Sequence, residues 1–142
     1  MTENEYKATI NYGGNEFFIG ISPSGHAVTL DVNHDRNSGP TPMELVLMAV
    51  GACTAVDVVS ILEKKRQKVT NYRVEVRGER REEHPRAFTR LKIHHIVYGK
   101  NISEEAVKRS IELSDTKYCS VSASLRPGAE IITSYEIIES SE

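Results

Sequence analysis

The sequence has no tryptophan, three phenylalanines, two cysteines and almost no charge imbalance. Each scarcity excludes something. With 18 basic residues against 20 acidic ones there is no broad positive field, so nucleic acid is not an expected partner. No charged leader with an apolar core opens the chain, and no signal peptide is expected. Two cysteines without such a signal point to a reducing cytoplasm, where both thiols stay free. Repeats, linkers and low-complexity tracts are missing, and 142 residues make one domain spanning 1–142.

Only one long apolar run is present. ELVLMAVGACTAVDVVSILEKK covers residues 44–65, and between Leu45 and Leu62 only Thr54, Asp57 and Ser60 are clearly polar. Eighteen residues is the lower edge of membrane-spanning length. An aspartate near the middle would be costly in lipid, and no second apolar segment exists. The expectation is a buried helix in a soluble chain, with no membrane partner. A chain this short has too little other apolar surface to cover such a helix on all sides. A homodimer that buries two of them together solves the problem.

Around this run the pattern alternates. EYKATINY, NEFFIGIS and HAVTLDV read as a three-strand meander, with Gly13-Gly14 as the first turn. NHDRNSGPTP is a polar loop, after which Thr41, Pro42 and Glu44 supply a capping box for the long helix. YRVEVRGE and TRLKIHHIVYG form a long hairpin around the charged tip REEHPR. Ser103 caps a second helix whose inner stripe is Val107, Ile111, Ser114 and Tyr118, and EIITSYEII is a last strand. The order βββ-α-ββ-α-β is an α+β layout.

On a helical wheel Cys53, Asp57, Ser60 and Lys64 share the most polar stripe of the long helix. A cysteine that only fills space has no need of that stripe, although free cysteine also packs as a small hydrophobe. A carboxylate one turn away should raise the thiol's pKa, so activation needs a cation or donor from elsewhere. Arg36 and His34 in the polar loop are candidates. Cys119 lies either at the end of the second helix, where a thiolate is disfavoured, or at the opening of a new helical turn in CSVSASL, where the sign reverses. His94 and His95 are neighbours on a strand and point to opposite faces, so they cannot chelate a metal together. His95 shares its face with Leu91, Ile93 and Val97, which makes it an interior or interface histidine. No local motif supplies the positioned histidine of a cysteine hydrolase.

Two stretches together carry a resemblance. GPTPMELVLMAVGACTAVDVV, followed 66 residues after Cys53 by KYCSVSASL, resembles the osmotically inducible protein C / organic hydroperoxide resistance (OsmC/Ohr) superfamily. The resemblance covers nearly the whole chain and includes the element order. It implies an intertwined homodimer with a long buried central helix and sites at the subunit interface. It also implies thiol peroxidase chemistry, with Cys53 as the peroxidatic and Cys119 as the resolving cysteine. A small peroxide would be the substrate and a thiol or dithiol the reductant, with no metal, flavin or haem. Two positions depart from the organic hydroperoxide branch. Met43 stands where its glutamate is expected, with Glu44 one place later, and Asn15 stands where its arginine is expected. The chain therefore resembles an OsmC-like subgroup distinct from that branch.

Two classes of function follow. One is a thiol-dependent peroxidase acting on organic hydroperoxides or hydrogen peroxide through Cys53 and Cys119, with Glu44 and Arg36 as candidate activating residues. The other is a non-catalytic dimer that binds a small apolar ligand between subunits, its thiols structural or redox-sensing.

Overall fold

The computed structural model describes residues 4–140, in two compact units, Met1–Val46 and Leu47–Glu142. The first unit holds strands β1 (Thr9–Gly14), β2 (Phe17–Ile21) and β3 (Ala27–Asp31), paired antiparallel in that order. The expected meander is present, but its first turn is not on Gly13-Gly14. The two loop residues are Asn15 and Glu16, with φ of 50° and 67°. A two-residue hairpin loop of type I′ has positive φ at both central positions, and asparagine tolerates that region better than most residues. The glycines serve the strand end instead: the register shifts between Tyr12 and Gly14, and Gly14 has φ of 90°.

Helix α1 (Pro42–Lys64) begins on the expected capping box. The Glu44 carboxylate accepts from the Thr41 N–H at 2.8 Å, and Thr41 Oγ1 accepts from the Glu44 N–H at 3.3 Å. The helix is long and apolar enough to cross a membrane by length and composition. Val50, Gly51, Thr54, Val58 and Leu62 are buried along one face, and the rest of the helix is half-buried or exposed.

In the second unit β4 (Lys68–Arg80) and β5 (Phe88–Lys100) form the long hairpin. Strand β6 (Glu130–Glu139) lies on the other side of β5 and runs parallel to it, with His95 opposite Tyr135. Parallel neighbours need a crossover. It consists of α2 (Glu104–Leu113), a π-helical turn (Ser114–Tyr118) and α3 (Ser120–Leu125). Ser103 caps α2 as expected, accepting from the Ala106 N–H at 3.2 Å. The single second helix of the sequence reading is thus three short segments, and the strand-helix order otherwise agrees.

The core forms where α1 and α2 meet the sheet. Val58, Leu62, Val97, Val107 and Ile111 cluster there, with Tyr72 and Tyr135 packed against them. Gly51 lets α1 come close to β4, since a Cβ there would sit 3.0 Å from Val76 Cγ2. His95 is fully buried in this sheet. Its Nδ1 meets the Tyr72 hydroxyl at 2.5 Å, while Nε2 has no hydrogen-bond partner among the described residues.

Burial pushes the His95 imidazole down to about 4, with His94 adding to the effect and Asp115 opposing it. In the unfolded chain the same ring titrates near ~6.5. The unfolded state therefore binds the proton first as pH falls. Stability from this group is complete above that value and is lost toward pH 4, by about 3 kcal/mol in all. Urea midpoints should fall across this window while the ring's NMR shift stays that of neutral histidine. A ring that protonates near its ordinary value would contradict this.

Candidate functional site

Cys53 is half-buried on α1, and Cys119 is buried, with 4% of its surface exposed. Both are free thiols, and the fold brings them side by side from 66 positions apart. Burial pushes the Cys119 thiol up, hydrogen bonds from Ser122 pull against this, and the neighbouring Cys53 thiol raises it further.

The π-helical turn sets the position of Cys119. Its N–H bonds to the Ser114 carbonyl at 2.8 Å, five residues back rather than four. The chain then leaves helical geometry at Cys119, with φ −75° and ψ 100°, and α3 begins. Of the two placements that the sequence left open, Cys119 takes the opening of a new helix. Its sulfur accepts from Ser122 Oγ at 3.0 Å and from the Ser122 N–H at 3.4 Å. The extra residue in the turn also explains Tyr118, expected on the inner stripe but 49% exposed.

Ser114 also reaches back to α1. Its hydroxyl donates to Asp57 Oδ2 at 2.9 Å, and its oxygen lies 2.9 Å from Thr54 Oγ1. Because the serine proton goes to the carboxylate, the Thr54 hydroxyl is the donor in the second bond. Asp57, the expected obstacle to a thiolate at Cys53, is thus bound by a hydroxyl from the segment that carries Cys119. The sequence marks Thr54 as a polar residue of the apolar run and places Ser114 on the inner stripe of the second helix, but points to no role at the site for either, and Ser122 does not stand out. Their only signal was that they are small hydroxyl residues on otherwise buried faces.

The other candidates lie in the first unit. Glu44 holds the cap of α1, and those bonds to Thr41 keep its carboxyl below the usual range. Helix α1 runs through Gly51 unbroken. Arg36 forms a forked pair with buried Asp31, through Nε to Oδ2 and Nη2 to Oδ1, each at 2.8 Å. This holds the Asp31 carboxyl far below the usual carboxylate range. Arg36 Nη2 also donates to the Asn15 carbonyl at 2.6 Å, and the guanidinium lies 5.6 Å from the centre of the Phe17 ring. The candidate cation therefore sits against the backbone of the position where the organic hydroperoxide branch is expected to carry its arginine. His34 is close enough to Glu44 to help lower its pKa. His94 bonds to Ser134 on the exposed face, opposite buried His95, so the two histidines do part as expected.

The family model for OsmC-like proteins matches residues 34–134, a span that contains both cysteines. The chain belongs to the OsmC-like family. This OsmC-like chain is similar to protein YhfA of Escherichia coli (strain K12), with 48% identity over 121 residues, covering 85% of this chain and 90% of that one. Among solved structures, a hypothetical protein from Aquifex aeolicus VF5 is 30% identical with a TM-score of 0.87, covering 97% of this chain and 99% of that one. The organic hydroperoxide resistance protein OhrB of Bacillus subtilis shares the fold at a TM-score of 0.64 and 13% identity, covering 93% and 98% of the two chains. The match to YhfA supports an OsmC-like subgroup within the OsmC/Ohr superfamily.

Replacing Ser114 by alanine strips Asp57 and Thr54 of a shared buried partner. Ser114→Ala should lower unfolding free energy by about 2 kcal/mol. Chemical denaturation of both proteins checks this, and an unchanged midpoint would remove Ser114 from its bridging role.

Proposed function

We propose that this chain is a thiol-dependent peroxidase that reduces organic hydroperoxides or hydrogen peroxide. The observation that carries the reading is the closeness of two free thiols of unequal exposure, Cys53 the more open and Cys119 the more buried. A peroxide meets Cys53 first. The Cys53 thiolate attacks the O–O bond, the alcohol or water leaves, and a sulfenic acid remains on Cys53. Cys119 condenses with it, water departs and a disulfide forms. A cytoplasmic thiol or dithiol then restores both thiols. Family membership supports the reading, since the superfamily includes proteins named for organic hydroperoxide resistance.

The working form is a homodimer. Met48, Ala49, Ala52 and Val56 make a continuous apolar strip on α1 beside Cys53, with Met48 59% and Val56 70% exposed in one protomer. A second copy would cover it. Arg36 is the activating cation in this scheme. Its Nε and Nη2 are engaged at Asp31 and Asn15, and among the described bonds Nη1 makes none. Glu44 keeps its capping role while helping to hold the helix start.

One observation favours a second reading. The first unit has an apolar pocket of about 410 Å³ lined by Ile10, Phe18, Leu30, Val32, Pro42 and Leu45. A small apolar ligand fits it, and binding would then survive loss of both cysteines.

Peroxide turnover with a dithiol decides between them. Cys53→Ser should abolish consumption, and Cys119→Ser should consume about one equivalent and accumulate a sulfenic acid. Full activity in Cys53→Ser would refute the reading. Light scattering should give about 32 kDa, twice the 15.9 kDa chain. Arg36→Ala should slow alkylation of Cys53 at neutral pH by roughly tenfold, with Cys119 replaced in both proteins. Equal rates would remove Arg36 from the scheme.

A further inference from the structure

Ser122 has no part in the scheme so far, yet it makes the closest polar contact to either sulfur. It donates twice to Cys119 Sγ, through its hydroxyl at 3.0 Å and its amide at 3.4 Å. Ser122 is itself buried, with 2% of its surface exposed, so water does not compete for these bonds. A thiol has little need of two donors. A thiolate does, because it has no proton and its charge must be met inside the protein.

We infer that Ser122 stabilises Cys119 as the leaving thiolate when the Cys53–Cys119 disulfide is reduced, and that the external thiol therefore enters at Cys53. The inference rests on the peroxidase reading in needing that disulfide as an intermediate. Access sets this direction, and Ser122 offsets part of the cost that burial puts on the leaving thiolate. Cys119 is closed to a thiol nucleophile, whereas Cys53 is half-open. In thiol–disulfide exchange a thiolate leaves faster the more it is stabilised, so the two Ser122 bonds speed the departure of Cys119.

The step balances. A reductant thiolate attacks Cys53 Sγ, forming a bond from its sulfur to Cys53 as the Sγ–Sγ bond breaks. The electron pair of that bond goes to Cys119 Sγ, which is held by the Ser122 O–H and N–H. A second reductant thiolate, or the second thiol of a dithiol, then attacks the reductant's sulfur in the mixed disulfide. The reductant leaves as its disulfide, and Cys53 leaves as a thiolate. Two thiols are oxidised, the protein disulfide is reduced, and both cysteines take up protons from water. Burial raises the Cys119 pKa and the two bonds oppose part of that rise, so without them it would be a poorer leaving group still.

The test needs no peroxide. The full-length protein is oxidised with diamide and treated with the monothiol 2-mercaptoethanol. Samples are acid-quenched, blocked with N-ethylmaleimide and peptide-mapped. The mixed disulfide is expected on Cys53 and the maleimide on Cys119. In Ser122→Ala the rate of reduction should fall by roughly tenfold, while Ser122→Thr, which keeps a hydroxyl, should retain most of it. An adduct on Cys119 in the wild type overturns the inference without any variant. An unchanged rate in Ser122→Ala also overturns it, and in both cases the peroxidase reading stands. Failure of diamide to form the disulfide at all brings down the peroxidase reading itself, and this inference with it.

Discussion

Ser114 ties together the two segments that carry the cysteines, and it uses both its side chain and its backbone to do so. Its hydroxyl takes a proton from Thr54 and gives its own to Asp57, one residue and one turn past Cys53 on α1. Its carbonyl receives the Cys119 amide. Without the hydroxyl, a carboxylate next to a candidate nucleophile would lose its partner. Without the five-residue turn, the amide of Cys119 would meet a different carbonyl and its sulfur a different direction. The closeness of the two thiols depends on both conditions at once.

The sheet of the second unit gives these segments a common reference. Helix α1 approaches β4 closely at Gly51, which adds no side chain of its own against those of Val74 and Val76. The segment with Cys119 is the crossover between β5 and β6, which are parallel neighbours, so both of its ends are fixed to the same three strands. Large buried side chains from both helices fill the space between. The two thiols are therefore neighbours because each is referred to one surface, not because one reaches freely toward the other.

Much of this was legible from residue patterns. Alternation gave the strands, the Thr41/Glu44 pair gave the start of α1, and period two placed His95 inside and His94 outside. The two cysteines stood out because Cys53 lies on the polar stripe of an apolar helix and because both sit in family-like motifs. What was not legible has physical causes. A π-helical turn has no composition of its own, since Ser-Asp-Thr-Lys-Tyr continues an α-helical pattern plausibly until its hydrogen bonds are seen. The hydroxyls of Thr54, Ser114 and Ser122 matter only through neighbours 60 positions away or through a cap that the turn itself creates. Gly13-Gly14 looked like a turn because glycine permits one, yet Asn15 and Glu16 carry the positive φ values. Asp57 could be read as a charge beside a thiol, but its partner could not.

The π-helical turn also constrains how this stretch can vary. Thr116 and Lys117 do not contact either sulfur among the described bonds, and Asp115 pairs outward with Arg126. Their identities are loosely held, but their number is not. Removing one residue between Ser114 and Cys119 would let an ordinary α turn close, and every atom beyond it would rotate by roughly 100° about the helix axis. Tolerance in this segment should accordingly be asymmetric, with exchanges of residue accepted and changes of length rejected wherever the two sulfurs must still meet.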